Sequence, residues 1–200
     1  MSIGARLPSL SGPALSVLVG RNPCPVATYR TIALEISLVD LRAEAAEPTR
    51  RRFNAYYGVR RNAAWRERFY GRFEAAKAST LSAADLFRDV VAGLAEDTGR
   101  IEASFASKLV ATLRPDSPII DSLVRGWLAG SHASPPFKGG VVAAVSYYRW
   151  LEQVMGDLAT TPEALEWFTT FEDAFPTRNG ESAISAMKRL DFLIWGGAER

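Results

Sequence analysis

The chain has 200 residues, of which 48% are hydrophobic and 23% charged, and its net charge is +2. This composition is that of an ordinary globular domain, and it excludes a polycation that would bind nucleic acid through its overall charge. The single cysteine, Cys24, excludes an internal disulfide and a four-cysteine iron–sulfur cluster, and the single histidine, His132, excludes a histidine-built metal centre. No apolar run approaches the roughly 20 residues of a membrane span. We therefore predict a cytoplasmic protein with no metal site and no membrane segment.

The N-terminal part of the chain differs from the rest in composition. Residues 1–25 are rich in glycine, proline and serine, and residues 27–45 are apolar with a spacing that fits either a helix or a strand. We predict an irregular N-terminal arm with an undefined first element over residues 1–46, and a helical domain over residues 47–200.

From residue 48 onward the pattern predicts an all-α fold. Pro48 fits the first turn of a helix that ends at Gly58, and Asn62 fits the cap of a helix that continues to Ala78. Ser82 resembles the first residue of a capping box, and its helix is expected to end at Thr98-Gly99. Four later helices are expected. The first begins at Ser117-Pro118 and carries Asp121. Two more run over residues 141–155 and 162–174, and the last runs over residues 181–194, before Gly196-Gly197.

Lys108 and Asp121 are the residues whose surroundings favour chemistry. Lys108 lies in the first two turns of its helix among apolar residues, and both the helix dipole and burial favour its neutral, nucleophilic amine. Asp121 is expected in the first turn of the next helix, where the dipole favours an ionised carboxylate. The alternatives are a solvated lysine that balances Glu102 and an ordinary helix-start acid.

A second feature is the arginine-rich strip over residues 50–73. It contains eight arginines against one acid, with aromatic residues between them. Arginines for phosphate and aromatic rings for stacking are typical of nucleic-acid binding. Trp65, Phe69 and Phe73 recur at a helical spacing, however, and this favours a buried stripe with an arginine-rich outer face that can still contact phosphate.

The chain resembles the helix-hairpin-helix DNA glycosylases, in particular the 8-oxoguanine glycosylase branch and a group of short bacterial glycosylase-like proteins. Ser107-Lys108 matches the catalytic lysine element of that branch, and Pro118-Ile-Ile-Asp121 matches the proline-containing turn with its aspartate. The resemblance covers about residues 50–196. It extends to Tyr56-Tyr57, Arg60-Arg61, Trp65, Phe69-Tyr70 and the closing Leu-Asp-Phe-Leu-Ile-Trp at residues 190–195.

The resemblance implies base excision on DNA without a cofactor. A damaged base, expected to be an oxidised purine, is flipped out of the duplex, Lys108 attacks the sugar to form a Schiff base, and Asp121 stabilises the cationic sugar. Strand cleavage by β-elimination can follow. The expected nucleic-acid contacts are Arg60, Arg61, Arg68, Ser104 and Ser107, and the expected base-pocket residues are Trp127 and Phe105.

Two departures keep other functions open. The expected hairpin segment, residues 103–106, contains no glycine, and Lys108 and Asp121 are only 13 positions apart (121 − 108). These departures favour a non-catalytic module that binds nucleic acid or a nucleobase. A helical interaction or regulatory protein, for example of a bacterial defence or repair locus, is the third alternative, and an exposed apolar groove with no pocket at Lys108 would favour it.

Overall fold

A computed structural model describes residues 13–129, 132–178, 181 and 183–198. Within these ranges all regular structure is helical, as the sequence predicts. A 3₁₀ turn, Glu44–Ala46, precedes the third α-helix. The α-helices are α1 Pro13–Gly20, α2 Pro25–Leu38, α3 Glu47–Tyr57, α4 Ala63–Lys77, α5 Ala83–Thr98, α6 Ala103–Leu113, α7 Ser122–Ala129, α8 Gly140–Ala159, α9 Pro162–Ala174 and α10 Ala186–Ala198.

The ends of the central helices follow the sequence signals. The Asn62 side chain accepts a hydrogen bond from the backbone N–H of Trp65 at 2.9 Å, and the Ser82 hydroxyl accepts one from Asp85 at 3.2 Å. Gly58 and Gly99 follow α3 and α5 with φ values of 63° and 67°, the left-handed region that glycine enters without strain. The predicted boundaries of α3, α4 and α5 are therefore confirmed to within a residue or two.

The predicted irregular arm is wrong over residues 13–20, which form a helix, and over residues 27–38 the helix of the two alternatives is the one observed. Both helices begin at a proline, Pro13 and Pro25, a position where proline removes no helical hydrogen bond. Helix α1 packs on α10 and α2 packs on α3. Residues 1–12 of the predicted arm lie outside the described residues, and the division of the chain at residue 46 remains a prediction.

Two predicted helix positions are also corrected. Residues 118–121 are not helical: Ile119 and Ile120 are buried in the core, and the backbone N–H of Ile120 donates to the Ser107 hydroxyl and not to a helical carbonyl. Helix α7 begins only at Ser122. Helix α10 begins at Ala186 rather than at residue 181, and Gly196 and Gly197 lie inside it.

The core is continuous and rich in aromatic residues. Trp65, Phe69 and Phe73 are buried along α4, which confirms the predicted stripe. Trp65 stacks on Phe69 with ring centroids 5.1 Å apart, and Phe53 of α3 packs against Phe69 and Phe73. None of the described helices combines the length and apolar character needed to cross a membrane.

Candidate active site

A cavity of about 690 Å³ lies between α3, α6, α10 and the loop that joins α1 to α2. Its volume falls in the range of about 300–1,000 Å³ that is usual for small-ligand sites. The wall takes residues from both ends of the chain, on both sides of the predicted division at residue 46. The charged lining residues are Arg21, Arg52, Lys108, Asp121, Lys188 and Asp191, and the aromatic ones are Tyr56, Tyr57, Phe192 and Trp195.

Lys108 is buried in the second turn of α6, with 8% of its surface exposed. Its Nζ donates a hydrogen bond to the backbone carbonyl of Tyr57 at 3.2 Å and lies 3.8 Å from Oδ2 of Asp121. Burial lowers the pKa of Lys108, and attraction by Asp121 and Asp191 only partly opposes it. Burial therefore shifts Lys108 toward the neutral amine, the direction that the sequence predicts for a nucleophile.

Asp121 is the residue before α7 and its two carboxylate oxygens point to different partners. Oδ1 accepts a hydrogen bond from the backbone N–H of Leu123 at 2.8 Å, which is the geometry of a helix N-cap. Oδ2 faces Lys108 at a distance longer than a hydrogen bond. One oxygen is thus fixed by the helix, and the other is available to a positive charge in the cavity.

Ser107 links the segment that carries Lys108 to the segment that carries Asp121. Its hydroxyl accepts a hydrogen bond from the backbone N–H of Ile120 at 2.8 Å and donates one to the carbonyl of Ser104 at 3.0 Å. The Ser107 side chain is fully buried and has no surface for a phosphate. The predicted nucleic-acid contact at Ser107 is therefore corrected to a structural role, because both hydrogen-bonding functions of its hydroxyl are used within the protein.

A second lysine–aspartate pair, which the sequence analysis missed, lines the same cavity. Lys188 Nζ lies 2.5 Å from Oδ2 of Asp191, one turn further along α10. Burial lowers the pKa of Lys188, but the charge of Asp191 and the neighbouring tyrosines outweigh burial and leave that pKa well above its usual value. Four rings lie around the ammonium group at 4.8–5.6 Å: Tyr29, Tyr56, Tyr57 and Phe192.

The predicted base-pocket residues lie outside this cavity. Phe105 packs edge-on against Trp65 at 4.9 Å, and the half-buried Trp127 packs on the core. Trp195, at the cavity wall, carries the guanidinium of Arg21 at 4.5 Å from its ring. Neither Phe105 nor Trp127 is a lining residue, because both side chains are held by core packing instead.

Two of the three predicted arginines meet at the turn between α5 and α6. Arg61 pairs with the buried Glu102 at 3.0 Å, and Arg68 donates to the backbone carbonyl of Asp97. Together with Arg100 they line a shallow depression of about 270 Å³, which we call the hairpin surface. Arg60 is exposed but is not part of this depression. Residues 103–106, expected to form the hairpin, are instead the first turn of α6, with Ser104 half-buried in it, and the turn itself is residues 99–102, which include Gly99.

Comparison with protein-family models, curated proteins and solved structures found no match for this chain. Within the described part of the chain, no cluster of three or more histidine, cysteine, aspartate or glutamate residues is arranged to hold a metal ion. The geometry and charge of the cavity are therefore the basis on which a function can be assigned.

Proposed function

We propose that this protein is a DNA base-excision glycosylase with lyase activity, acting on a flipped and oxidised purine through a Schiff base at Lys108. One observation carries the proposal: a buried lysine amine lies 3.8 Å from a carboxylate on the wall of a cavity large enough for a nucleotide. The helix–turn–helix formed by α5, residues 99–102 and α6 supports it, because this unit carries the lysine as in the helix-hairpin-helix enzymes that the sequence resembles.

Lys108 is better suited to be the nucleophile than the other lysines of the chain. Lys188 lies in the same cavity but is held as an ammonium by Asp191. Lys77 pairs with Glu74 at 2.7 Å, and Lys138 is exposed to solvent. An amine attacks only when it is neutral, and burial favours that state at Lys108.

The reaction balances without a cofactor. The neutral Nζ of Lys108 attacks C1′ of the sugar, and the bond from C1′ to the base breaks with its electron pair leaving on the base, which takes up a proton. Loss of a proton from the nitrogen and opening of the bond from C1′ to the ring oxygen give the Schiff base. Asp121 stabilises the positive charge that develops on the sugar and then on the imine. Removal of a C2′ proton then expels the 3′ phosphate.

The hairpin surface supports a nucleic-acid substrate. Arg61, Arg68 and Arg100 place three guanidinium groups around the turn that precedes the lysine helix. Such groups neutralise phosphate and supply most of the affinity for a nucleic-acid backbone. The exposed Arg60 extends the positive charge along the chain.

A binding module without catalysis is the second candidate, and Glu102 favours it. Its buried carboxylate lies at the end of the hairpin turn, where helix-hairpin-helix proteins approach phosphate with their backbone amides. A negative charge at this position opposes a close phosphate contact, although Arg61 compensates it. A single-stranded or free nucleotide ligand would not require that contact.

Borohydride trapping tests the proposal. Wild type, Lys108→Ala and the matched control Lys138→Ala would be incubated with duplex and single-stranded oligonucleotides that carry 8-oxoguanine, uracil or an abasic site. We expect a covalent adduct with wild type and Lys138→Ala and none with Lys108→Ala, because hydride reduces the imine to a stable amine. An adduct that survives in Lys108→Ala would overturn the assignment, binding without an adduct would favour the binding module, and absence of binding would overturn both.

A further inference from the structure

Burying the Lys188–Asp191 pair removes two charges from water, and the gain in stability from their pairing does not explain why the pair is there. Lys188 exposes only 5% of its surface, and its ammonium group is enclosed by four aromatic rings. Buried ion pairs are usually no more stabilising than apolar residues of similar volume, because both charges lose their hydration. Because this pair lies on the wall of the cavity, its charges act on the other charged groups of the cavity.

Asp191 is a competing partner for Lys108. Both residues line the same cavity, and the carboxylate of Asp191 attracts the Lys108 ammonium. Asp121 and Asp191 each raise the pKa of Lys108 and so oppose the effect of burial, whereas the charge of Lys188 acts in the opposite direction. The charged or titratable groups that surround Lys108 are Asp121 before α7, Lys188 and Asp191 on α10, Tyr56 and Tyr57 on α3, and Arg21 and Arg52 on the cavity wall.

Lys188 is placed to remove this competition. Its Nζ lies 2.5 Å from Oδ2 of Asp191, whereas Lys108 lies 3.8 Å from Asp121. Both lysine nitrogens also lie beside the same ring, that of Tyr57, at 5.6 Å for Lys188 and 5.9 Å for Lys108. The rings around Lys188 hold its ammonium group in one place and therefore keep Asp191 engaged.

We propose that Lys188 is a positioning residue that binds Asp191 and so leaves Lys108 with a single, loosely held carboxylate partner. This inference rests on the proposed function, since it assigns a regulator to the nucleophile named there. It divides the two lysines of the cavity by role: Lys188 stays charged and neutralises Asp191, and Lys108 loses its proton and reacts.

Two variants are expected to behave differently. In Lys188→Met the carboxylate of Asp191 loses its partner, attracts Lys108 and stabilises its ammonium form. In the double variant Lys188→Met/Asp191→Asn both charges are absent and Lys108 regains its reactivity. If Asp191 had no effect on Lys108 and Lys188 acted only by repelling it, the double variant would instead behave like Lys188→Met.

Reductive methylation with formaldehyde and cyanoborohydride measures the neutral amine without DNA. The chain has only four lysines, so peptide mass spectrometry follows Lys108 and the exposed Lys138 in the same sample, and Lys138 serves as the internal control. At neutral pH we expect the Lys108 rate relative to Lys138 to fall about tenfold in Lys188→Met and to return to within about twofold of wild type in the double variant. An unchanged rate in Lys188→Met, or an equal fall in both variants, would overturn the inference.

Circular dichroism would establish that each variant is folded. If Lys188→Met does not fold, Lys188→Gln retains an N–H donor for Asp191 without the charge, and the same fall in rate, smaller in size, is expected. Failure of the proposed function is distinguishable, because the methylation result needs no oligonucleotide. If the methylation rates follow the expected pattern but no borohydride adduct forms, the glycosylase proposal is refuted and the role of Lys188 is supported. If an adduct forms but the methylation rates do not follow that pattern, the glycosylase proposal is supported and the role of Lys188 is refuted.

Discussion

The hydroxyl of Ser107 accepts a hydrogen bond from the backbone N–H of Ile120 at 2.8 Å. Each of these residues directly precedes a residue of the proposed catalytic pair, so this bond joins the two segments that carry Lys108 and Asp121. The 3.8 Å separation of the catalytic groups therefore depends on a residue that does not itself face the cavity.

Replacement of Ser107 by alanine is expected to lower the free energy of unfolding by about 1–3 kcal/mol, because the buried N–H of Ile120 loses its acceptor. The adduct with an abasic oligonucleotide should also decrease, since Asp121 is no longer held beside Lys108. Urea unfolding and borohydride trapping measure the two effects. Ser104→Ala is the control and should unfold like wild type, because only the backbone carbonyl of Ser104 serves Ser107. Equal effects of both changes would contradict the prediction.

Asp121→Asn separates the cap from the charge. Asparagine caps a helix as well as aspartate does, so the unfolding midpoint should remain near that of wild type. Trapping should fall by on the order of a hundredfold, because no carboxylate remains to stabilise the cationic sugar. Asp121→Ala should lose the cap as well, at about 1 kcal/mol of stability. Full trapping activity in Asp121→Asn would show that the carboxylate acts only as a cap.

Lys108→Met should alter how stability depends on pH. Burial places the pKa of Lys108 in the folded protein below its ordinary value of 10.5, so the unfolded chain binds more protons between these two values. The free energy of unfolding of the wild type therefore rises with pH in that window, and the penalty for burying the amine is greatest below it.

The variant lacks this contribution. At pH 7 it should be more stable than wild type by about 1 kcal/mol, and the difference should shrink as the pH rises to 10.5, while tyrosine titration contributes alike to both proteins. Urea unfolding at the two pH values measures it, with Lys138→Met as the exposed control. A difference that stays constant with pH would show that Lys108 titrates alike in both states.

Arg68 at the hairpin surface and the exposed Arg60 outside it should govern the salt dependence of binding. Arg60→Ala and Arg68→Ala are each expected to weaken binding to an oligonucleotide at low salt and to lower the slope of log K against log salt by about 1. Fluorescence anisotropy between 50 and 200 mM salt would measure this slope (a range in which electrostatic binding changes by about 10³-fold or more). Arg178→Ala, an exposed arginine outside both cavities, is the matched control. If all three variants gave one slope, nucleic acid would bind elsewhere.

Gly196→Ala should disturb the contact between α1 and α10. An added Cβ would lie 2.8 Å from the backbone oxygen of Ala14, so the helices must separate. We expect a loss of about 1–3 kcal/mol of stability by thermal or urea unfolding. Gly156→Ala on α8 has open space around the added atom and should be neutral or stabilising by up to about 1 kcal/mol. Equal stability of the two variants would mean that α1 can move away from α10 without a loss of stability.

Local signals in the sequence predicted the local structure well. The Asn62 and Ser82 caps and the glycines after α3 and α5 depend on hydrogen bonds and backbone angles within a few residues, so they are visible in the sequence. Gly196 shows the limit of such signals. A glycine near the end of a helical pattern predicts a helix end, but here its missing side chain permits a close contact with Ala14, 182 positions away in the chain (196 − 14).

The part of the candidate site that depends on local sequence was predictable. Lys108 and Asp121 stood out because their motifs lie close together in the sequence. Lys188 and Asp191 are three positions apart on a helix, which is the spacing of an ordinary surface ion pair. Only the approach of Tyr29 from α2 and of Tyr56 and Tyr57 from α3 buries them, and no local pattern reports that contact.

The packing of α1 against α10 has a consequence for the order in which the protein acquires its cavity. Arg21 and Trp195, which meet at the cavity wall, are 174 positions apart in the sequence (195 − 21). Until α10 has docked, Lys108 has neither Lys188 and Asp191 beside it nor the wall that they help to form. Contacts between such distant segments form late because a long loop must close first, so the reactive amine gains its surroundings among the last events of folding.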